Sequence, residues 1–145
     1  MKIAVIRIRG LVNVRKKIRD TLNLLRLRKK FSCVLVDDTP EIMGMLKKVQ
    51  NYVAYGKIDE ETLKMLILKR GKKPGNKKID IAGKKLDDFS KDFLQGKKKL
   101  QDLRLKPFFR LHPPRKGFKK SIKLLYPKGV LGHNPGINEL IKRML

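Results

Sequence analysis

Three short apolar runs, at residues 2–9, 31–36 and 52–55, are separated by stretches that each fit one helix. That order leaves few folds open. The runs are rich in Ile, Val and aromatic residues, which favour the half-buried pleat of a strand. In the first, Ala4, Ile6 and Ile8 share one strand face while Arg7 and Arg9 share the other, and Gly10 ends it. Between the first two runs, Val14, Ile18, Leu22 and Leu25 recur at helical spacing. Before the third, Thr39-Pro40-Glu41 reads as a helix start, with a hydroxyl at the N-cap, proline at the first helical position and an acid in the first turn. Ile42, Leu46 and Val49 then supply a buried stripe, and Gly56 closes the third run. A strand-helix-strand-helix-strand unit of this size predicts an α+β fold: one small antiparallel sheet with both helices on one face.

The remaining chain is less regular. Asp59-Glu60-Glu61 opens a helix carrying Leu63, Leu66 and Ile67 that stops at Arg70-Gly71. Residues 69–78 hold six basic residues, two glycines and a proline without an acid, which reads as a flexible basic loop. Leu86, Phe89 and Phe93 predict a short helix closed near Gly96, residues 108–111 a strand broken by Pro113-Pro114, and Ile137, Leu140, Ile141 and Met144 a C-terminal helix. The expected organisation is a core domain over 1–57, a helical and basic-loop insertion over 58–106, and a basic strand and turn with a C-terminal helix over 107–145 that packs back on the core.

Charge narrows the function. The 145 residues include 38 Lys and Arg against 13 Asp and Glu, a formal charge of +25. Hydrophobic residues make up 41% of the chain, enough for a core at a length where folding buries about 68–70% of the unfolded surface. A folded body this basic needs an anionic partner. A membrane surface would call for a long apolar span or an amphipathic helix with aromatic anchors. Trp is absent and no apolar run is long enough, so nucleic acid is the expected partner, with no membrane and no small-molecule substrate. The single cysteine, Cys33, reads as a small apolar strand residue and suits a reducing cytoplasm, and the opening residues carry no pattern of an export signal.

Catalytic and metal chemistry is poorly provided for. His112 and His133 lie in Pro- and Gly-rich segments without metal-ligand spacing, so neither a metal nor a cofactor is expected. Asp37 and Asp38 are adjacent and point to opposite faces of a strand. No glycine begins a phosphate-loop motif. Gly129-Val130-Leu131-Gly132 has the form of a KH loop but apolar middle residues, and reads as a turn. Lys116-Gly117-Phe118 begins like an RNP1 motif and then departs from it.

Three basic clusters, at residues 15–30, 69–78 and 104–123, are nearly free of acids, unlike ordinary solvated faces that intersperse both signs. Within the third, Phe108 and Phe109 read as strand anchors and Phe118 as an anchor or a stacking ring. Arg110, His112, Arg115 and Lys116 flank a stiff Pro-Pro turn that can hold donors against phosphates. Clustering adds Lys16, Lys17, Lys29, Lys30, Lys72, Lys73, Lys119 and Lys120 to the RNA-binding set.

Specific motifs carry the reading further. Ile6-Arg7-Ile8-Arg9-Gly10, residues 22–28, Asp38-Thr39-Pro40 with Ile42 and Gly44-Met45-Leu46, and residues 52–56 resemble the large-subunit ribosomal protein thirty family. Leu68-Lys69-Arg70-Gly71 and residues 109–115 look like its longer archaeal form, related to eukaryotic ribosomal protein L-seven. The resemblance runs along nearly the whole chain and is weakest over 72–106. Where the family often has two glycines after Pro-Pro-Arg, this chain has Lys116 in the first place. The resemblance implies a three-stranded antiparallel sheet with two helices on one side, ferredoxin-like in flavour. It implies no catalysis, large-subunit (23S-type) ribosomal RNA as partner near the 5S RNA, and neighbouring ribosomal proteins. Carried onto matching basic positions, it implies RNA contact by Arg7, Arg9, Arg15, Arg26, Arg28, Lys69, Arg70, Arg110, His112 and Arg115. The competing readings are a free-standing RNA chaperone or nucleoid protein, and an RNA-modifying enzyme resting on His112 and Asp37-Asp38 alone.

Overall fold

A computed structural model describes residues 2–10, 12–75, 77–78, 84–100 and 105–145. Strands β1 (Lys2–Arg7), β2 (Ser32–Asp37) and β3 (Val53–Lys57) alternate with helices α1 (Lys16–Leu24) and α2 (Pro40–Val49). Both β2 and β3 pair antiparallel with β1, which runs between them. The expected α+β core is therefore present. Thr39 caps α2 as its sequence predicts, its side-chain oxygen accepting from the Ile42 amide at 3.3 Å.

Later elements enlarge this core. Helix α3 (Glu60–Arg70), the two-residue strands β4 (Lys72–Lys73) and β5 (Lys77–Lys78), helix α4 (Lys84–Leu94), strands β6 (Phe109–Arg110), β7 (Ser121–Leu125) and β8 (Gly129–His133), and helix α5 (Ile137–Met144) complete the described elements. Strand β6 adds antiparallel to the outer edge of β2, and β8 adds parallel to β3 with β7 beyond it, giving the order β6-β2-β1-β3-β8-β7. The small sheet thus becomes a mixed one of six strands.

Burial of β1 explains why the extension is there. Ile3 and Val5 face α1 and α2, packing with Leu22, Leu25, Leu46 and Val49. Ala4, Ile6 and Ile8 face the other way, into a core with Leu63, Leu66 and Ile67 of α3, Phe89 and Phe93 of α4, and Ile137, Leu140 and Ile141 of α5. A strand covered on both sides carries a nearly continuous apolar run, as residues 3–8 do apart from Arg7. The α1/α2 pair lies on one face as expected, and the later helices cover the second.

Two sequence expectations change here. Gly129–His133 is a strand, its first four residues buried, rather than a turn; Ala54 pairs with Gly132 and Tyr55 with His133. The basic stretch at 69–78 is the end of α3 followed by the small β4/β5 ladder, with Asn76 outside the described residues. Cys33 is fully buried in β2, and burial pushes its thiol up to about 12, so it stays protonated.

Candidate nucleic-acid interface

Helix α1 ends in a way that fixes one wall of the candidate site. The Arg26 amide donates to the Asn23 carbonyl at 3.0 Å and the Leu27 amide to the Leu22 carbonyl at 2.9 Å. These are the paired bonds of a Schellman motif, and Leu22 and Leu27 supply its apolar contact from the buried core. The position in left-handed conformation is ordinarily glycine. Here it is Arg26, with φ of 62°. Keeping a side chain there costs about 1–2 kcal/mol, and it leaves the guanidinium exposed beyond the helix end.

Residues after Arg26 descend to β2 beside β6. The Phe31 amide donates to the Arg7 carbonyl at 2.7 Å, and the Leu111 amide to the Phe31 carbonyl at 3.0 Å. In β6 the pleat separates neighbours: Phe109 is buried in the core that faces α3–α5, whereas Arg110 is exposed. The Arg110 guanidinium sits 5.6 Å from the centre of the Phe108 ring. On the other side α3 ends at Arg70, and the Lys106 amide donates to the Lys72 carbonyl at 2.8 Å, holding residue 106 against β4.

Two clefts result. One, of about 200 Å³, is lined by Arg70, Lys72, Lys106, Phe108 and Arg110. Its neighbour, of about 400 Å³, is lined by Arg26, Arg28, Lys29, Ser32, Pro107, Phe108 and Arg110. Among the described residues, the two clefts together draw seven cations from all three basic clusters of the sequence and no Asp or Glu. Cations held this close repel one another, and an anion between them relieves that repulsion.

A second group surrounds the Pro-Pro turn. Helix α5 holds it by backbone: the His112 amide donates to the Met144 carbonyl and the Arg115 amide to the Arg143 carbonyl, both at 3.0 Å. Arg143 Nη2 donates to the Arg115 carbonyl at 2.9 Å and also to that of Gly117. The turn stays closed despite Lys116, which takes φ of 63° while the Gly117 amide reaches the Pro114 carbonyl at 3.0 Å. His112, Arg115 and Lys116 are left exposed. Phe118 stacks on Phe31 with centres 6.3 Å apart, and Lys30 stands 5.0 Å from the centre of the Phe31 ring, so residues 28–31 join this turn to the clefts.

The other sequence-predicted cations differ in standing. Arg15, Lys16 and Lys17 are exposed at the start of α1, whose first turn holds no acid and whose last turn holds no base. That is the reverse of what the helix dipole favours. Lys69 is exposed and Lys73 half-buried, both outside the cleft linings. Arg9 lies over the Tyr52 ring, 5.4 Å from its centre, and Lys120 over Tyr126 at 4.4 Å. Lys119 reaches Glu139 at 3.5 Å, an exposed pair of little energetic weight. Arg104, which begins the third cluster, lies outside the described residues.

Arg7 requires a correction, because it is not at the surface. Only 1% of it is exposed; Nε donates to the Arg9 carbonyl at 3.0 Å and Nη1 to the Leu27 carbonyl at 2.8 Å. It ties the end of α1 to β1 from inside. The alternation that sets it opposite Ile6 and Ile8 holds, but its face of the sheet is also covered. Sequence reasoning misses Lys106 and Arg143. Phe108 packs against the core beneath α1 and α2, as its reading as an anchor expects. It is also half-buried in the wall of both clefts, where the aromatic-in-basic context at 106–110 is the available signal.

Catalytic readings gain no support from the described residues. Asp37 is exposed and paired with Lys2, Asp38 is exposed and outside the clefts, and among the described residues no group of acids, histidines and cysteine could hold a metal. No helix among them is long and apolar enough to cross a membrane.

The family model described as ribosomal protein L30p/L7e matches residues 3–53 of the chain. Likeness to individual relatives extends much further. The large ribosomal subunit protein uL30 of Archaeoglobus fulgidus is 48% identical over 150 residues, covering 97% of this chain and 98% of the relative. That of Methanococcus maripaludis is 42% identical over 157 residues and covers both chains completely. The protein of the same name from Methanobrevibacter smithii is 43% identical over 149 residues, covering 97% of this chain and 98% of its own.

Proposed function

The chain belongs to the ribosomal protein L30p/L7e family, and from that membership we propose that it serves in the large ribosomal subunit by holding ribosomal RNA on its basic face. It is a structural protein and not an enzyme. The partner is large-subunit RNA of the 23S type, near the 5S RNA and beside neighbouring ribosomal proteins, in the cytoplasm. One observation supports the reading: three basic clusters, far apart in sequence, meet at two adjoining clefts whose linings hold no acid among the described residues. Contacts of this kind neutralise phosphates and fix the protein's position on RNA without reading bases.

Sedimenting a cell extract in high salt tests it. The chain should travel with large subunits, since contacts buried in an assembled particle are shielded from the ions that weaken binding to free RNA. Recovery away from the particles, bound to RNA and DNA alike, would make it a free-standing chaperone or nucleoid protein instead.

A further inference from the structure

Cations alone suffice to hold a phosphate backbone, and the wall shared by both clefts also carries an aromatic ring. Phe108 packs in part against the core beneath α1 and α2, and its remaining surface lines both clefts, with the Arg110 guanidinium over its ring. Its neighbour Phe109 already anchors the strand in the core. Pro107 adds a second apolar wall to the larger cleft, whose volume of about 400 Å³ falls in the range of ~300–1,000 Å³ typical of pockets that enclose small organic groups. Arg70, on the far side, has a buried Nε with no hydrogen-bond partner among the described residues.

We propose that this cleft takes one unpaired nucleotide turned out of the RNA stack, with its base against Phe108 and Arg110. Its flanking phosphates lie on Arg26 and Arg28 on one side and on Arg70 and Lys72 on the other. The proposal rests on the RNA-binding reading and names the element bound: a bulge or strand junction instead of a continuous duplex. The physical reason is access. A-form RNA hides its base edges in a deep major groove, whereas an extruded base offers a flat face that aromatic rings and guanidinium planes can cover. Any base can stack in this way, so the cleft selects for an unpaired nucleotide without selecting its identity.

The test compares the full chain binding two RNA hairpins of one sequence, one fully paired and one with a single bulged adenosine. The bulged hairpin should bind more tightly. Phe108→Leu keeps apolar volume but removes the ring face, and should cut that preference about 5- to 150-fold while leaving affinity for the paired hairpin in place. Phe108→Trp should retain the preference. Arg26→Ala should weaken binding to both hairpins. Equal binding of the two hairpins by the unaltered protein overturns the proposal, as does a Leu variant that keeps the preference. A Leu variant that cannot fold makes the ring a packing group and overturns it too. Failure to bind either hairpin would instead remove the RNA-binding reading itself.

Discussion

The two faces of the sheet are built from different parts of the chain. On one face, Ile3, Val5, Val34, Val53 and Tyr55 are covered by α1 and α2, all within the first 57 residues. On the other, Ala4, Ile6, Ile8, Cys33 and Ala54 are covered by α3, α4 and α5, all from later residues. The first face is built by the strand-helix-strand-helix-strand unit, with Phe108 of the extension packed at its margin. The second depends on the extension, and so does the candidate site. Residues 26–29 make one wall, but Arg70, Lys72, Lys106, Phe108 and Arg110 come from beyond residue 57. One consequence is that stability and RNA binding are both properties of the joined halves.

Cutting the chain after residue 57 attacks this difference most directly. The fragment would expose the apolar residues of the second face and lose most of both clefts. It should show no cooperative thermal unfolding transition by circular dichroism, whereas a folded fragment would make the extension an ornament. A finer attack is Gly56→Ala. A methyl there would collide with the Asn134 carbonyl oxygen and lie 2.9 Å from Ile137 Cγ2, where β3 meets the start of α5. Overpacking of this sort costs about 1–3 kcal/mol, read as a lowered denaturation midpoint; an unchanged midpoint would mean that α5 sits loosely on the sheet.

Arg7→Met probes the first face. The unbranched apolar side chain fills much of the space, but the Leu27 and Arg9 carbonyls lose their donor, and an unsatisfied buried group costs about 1–3 kcal/mol. Chemical denaturation should show that loss. A variant as stable as the parent would show that water replaces the guanidinium. The smallest effect is expected of Arg26→Gly, since relief of the left-handed backbone offsets the greater freedom of the unfolded chain. Its melting temperature should stay within a few degrees of the parent while RNA affinity falls. If melting drops sharply instead, the side chain at Arg26 is holding the helix end, not serving the cleft.

These residues also separate what can be read from sequence from what cannot. The first three strands, both early helices and the Thr39 cap follow from local spacing and capping chemistry, and the structure has them. The clusters at 15–30, 69–78 and 104–123 are visible as composition, yet their meeting point is not, because Lys72 and Lys106 are brought together by a backbone contact across the fold. Strand β8 escapes notice because Gly129 and Gly132 punctuate it like a turn, and its pairing with β3 is non-local. Arg7 is misplaced for a related reason. Alternation tells which residues share a face but not whether that face meets solvent, and for Arg7 the end of α1 decides it, through the Leu27 carbonyl that takes its guanidinium.

The central claim is that cations from all three clusters act together on RNA phosphates. Measuring affinity for ribosomal RNA across a salt series, for the parent and for Arg26→Ala/Arg70→Ala/Arg110→Ala, addresses it directly. Each phosphate contact removed should lower the slope of log affinity against log salt by about one, so the triple variant should lose about three while still melting cooperatively. An unchanged slope in a folded triple variant would contradict the account.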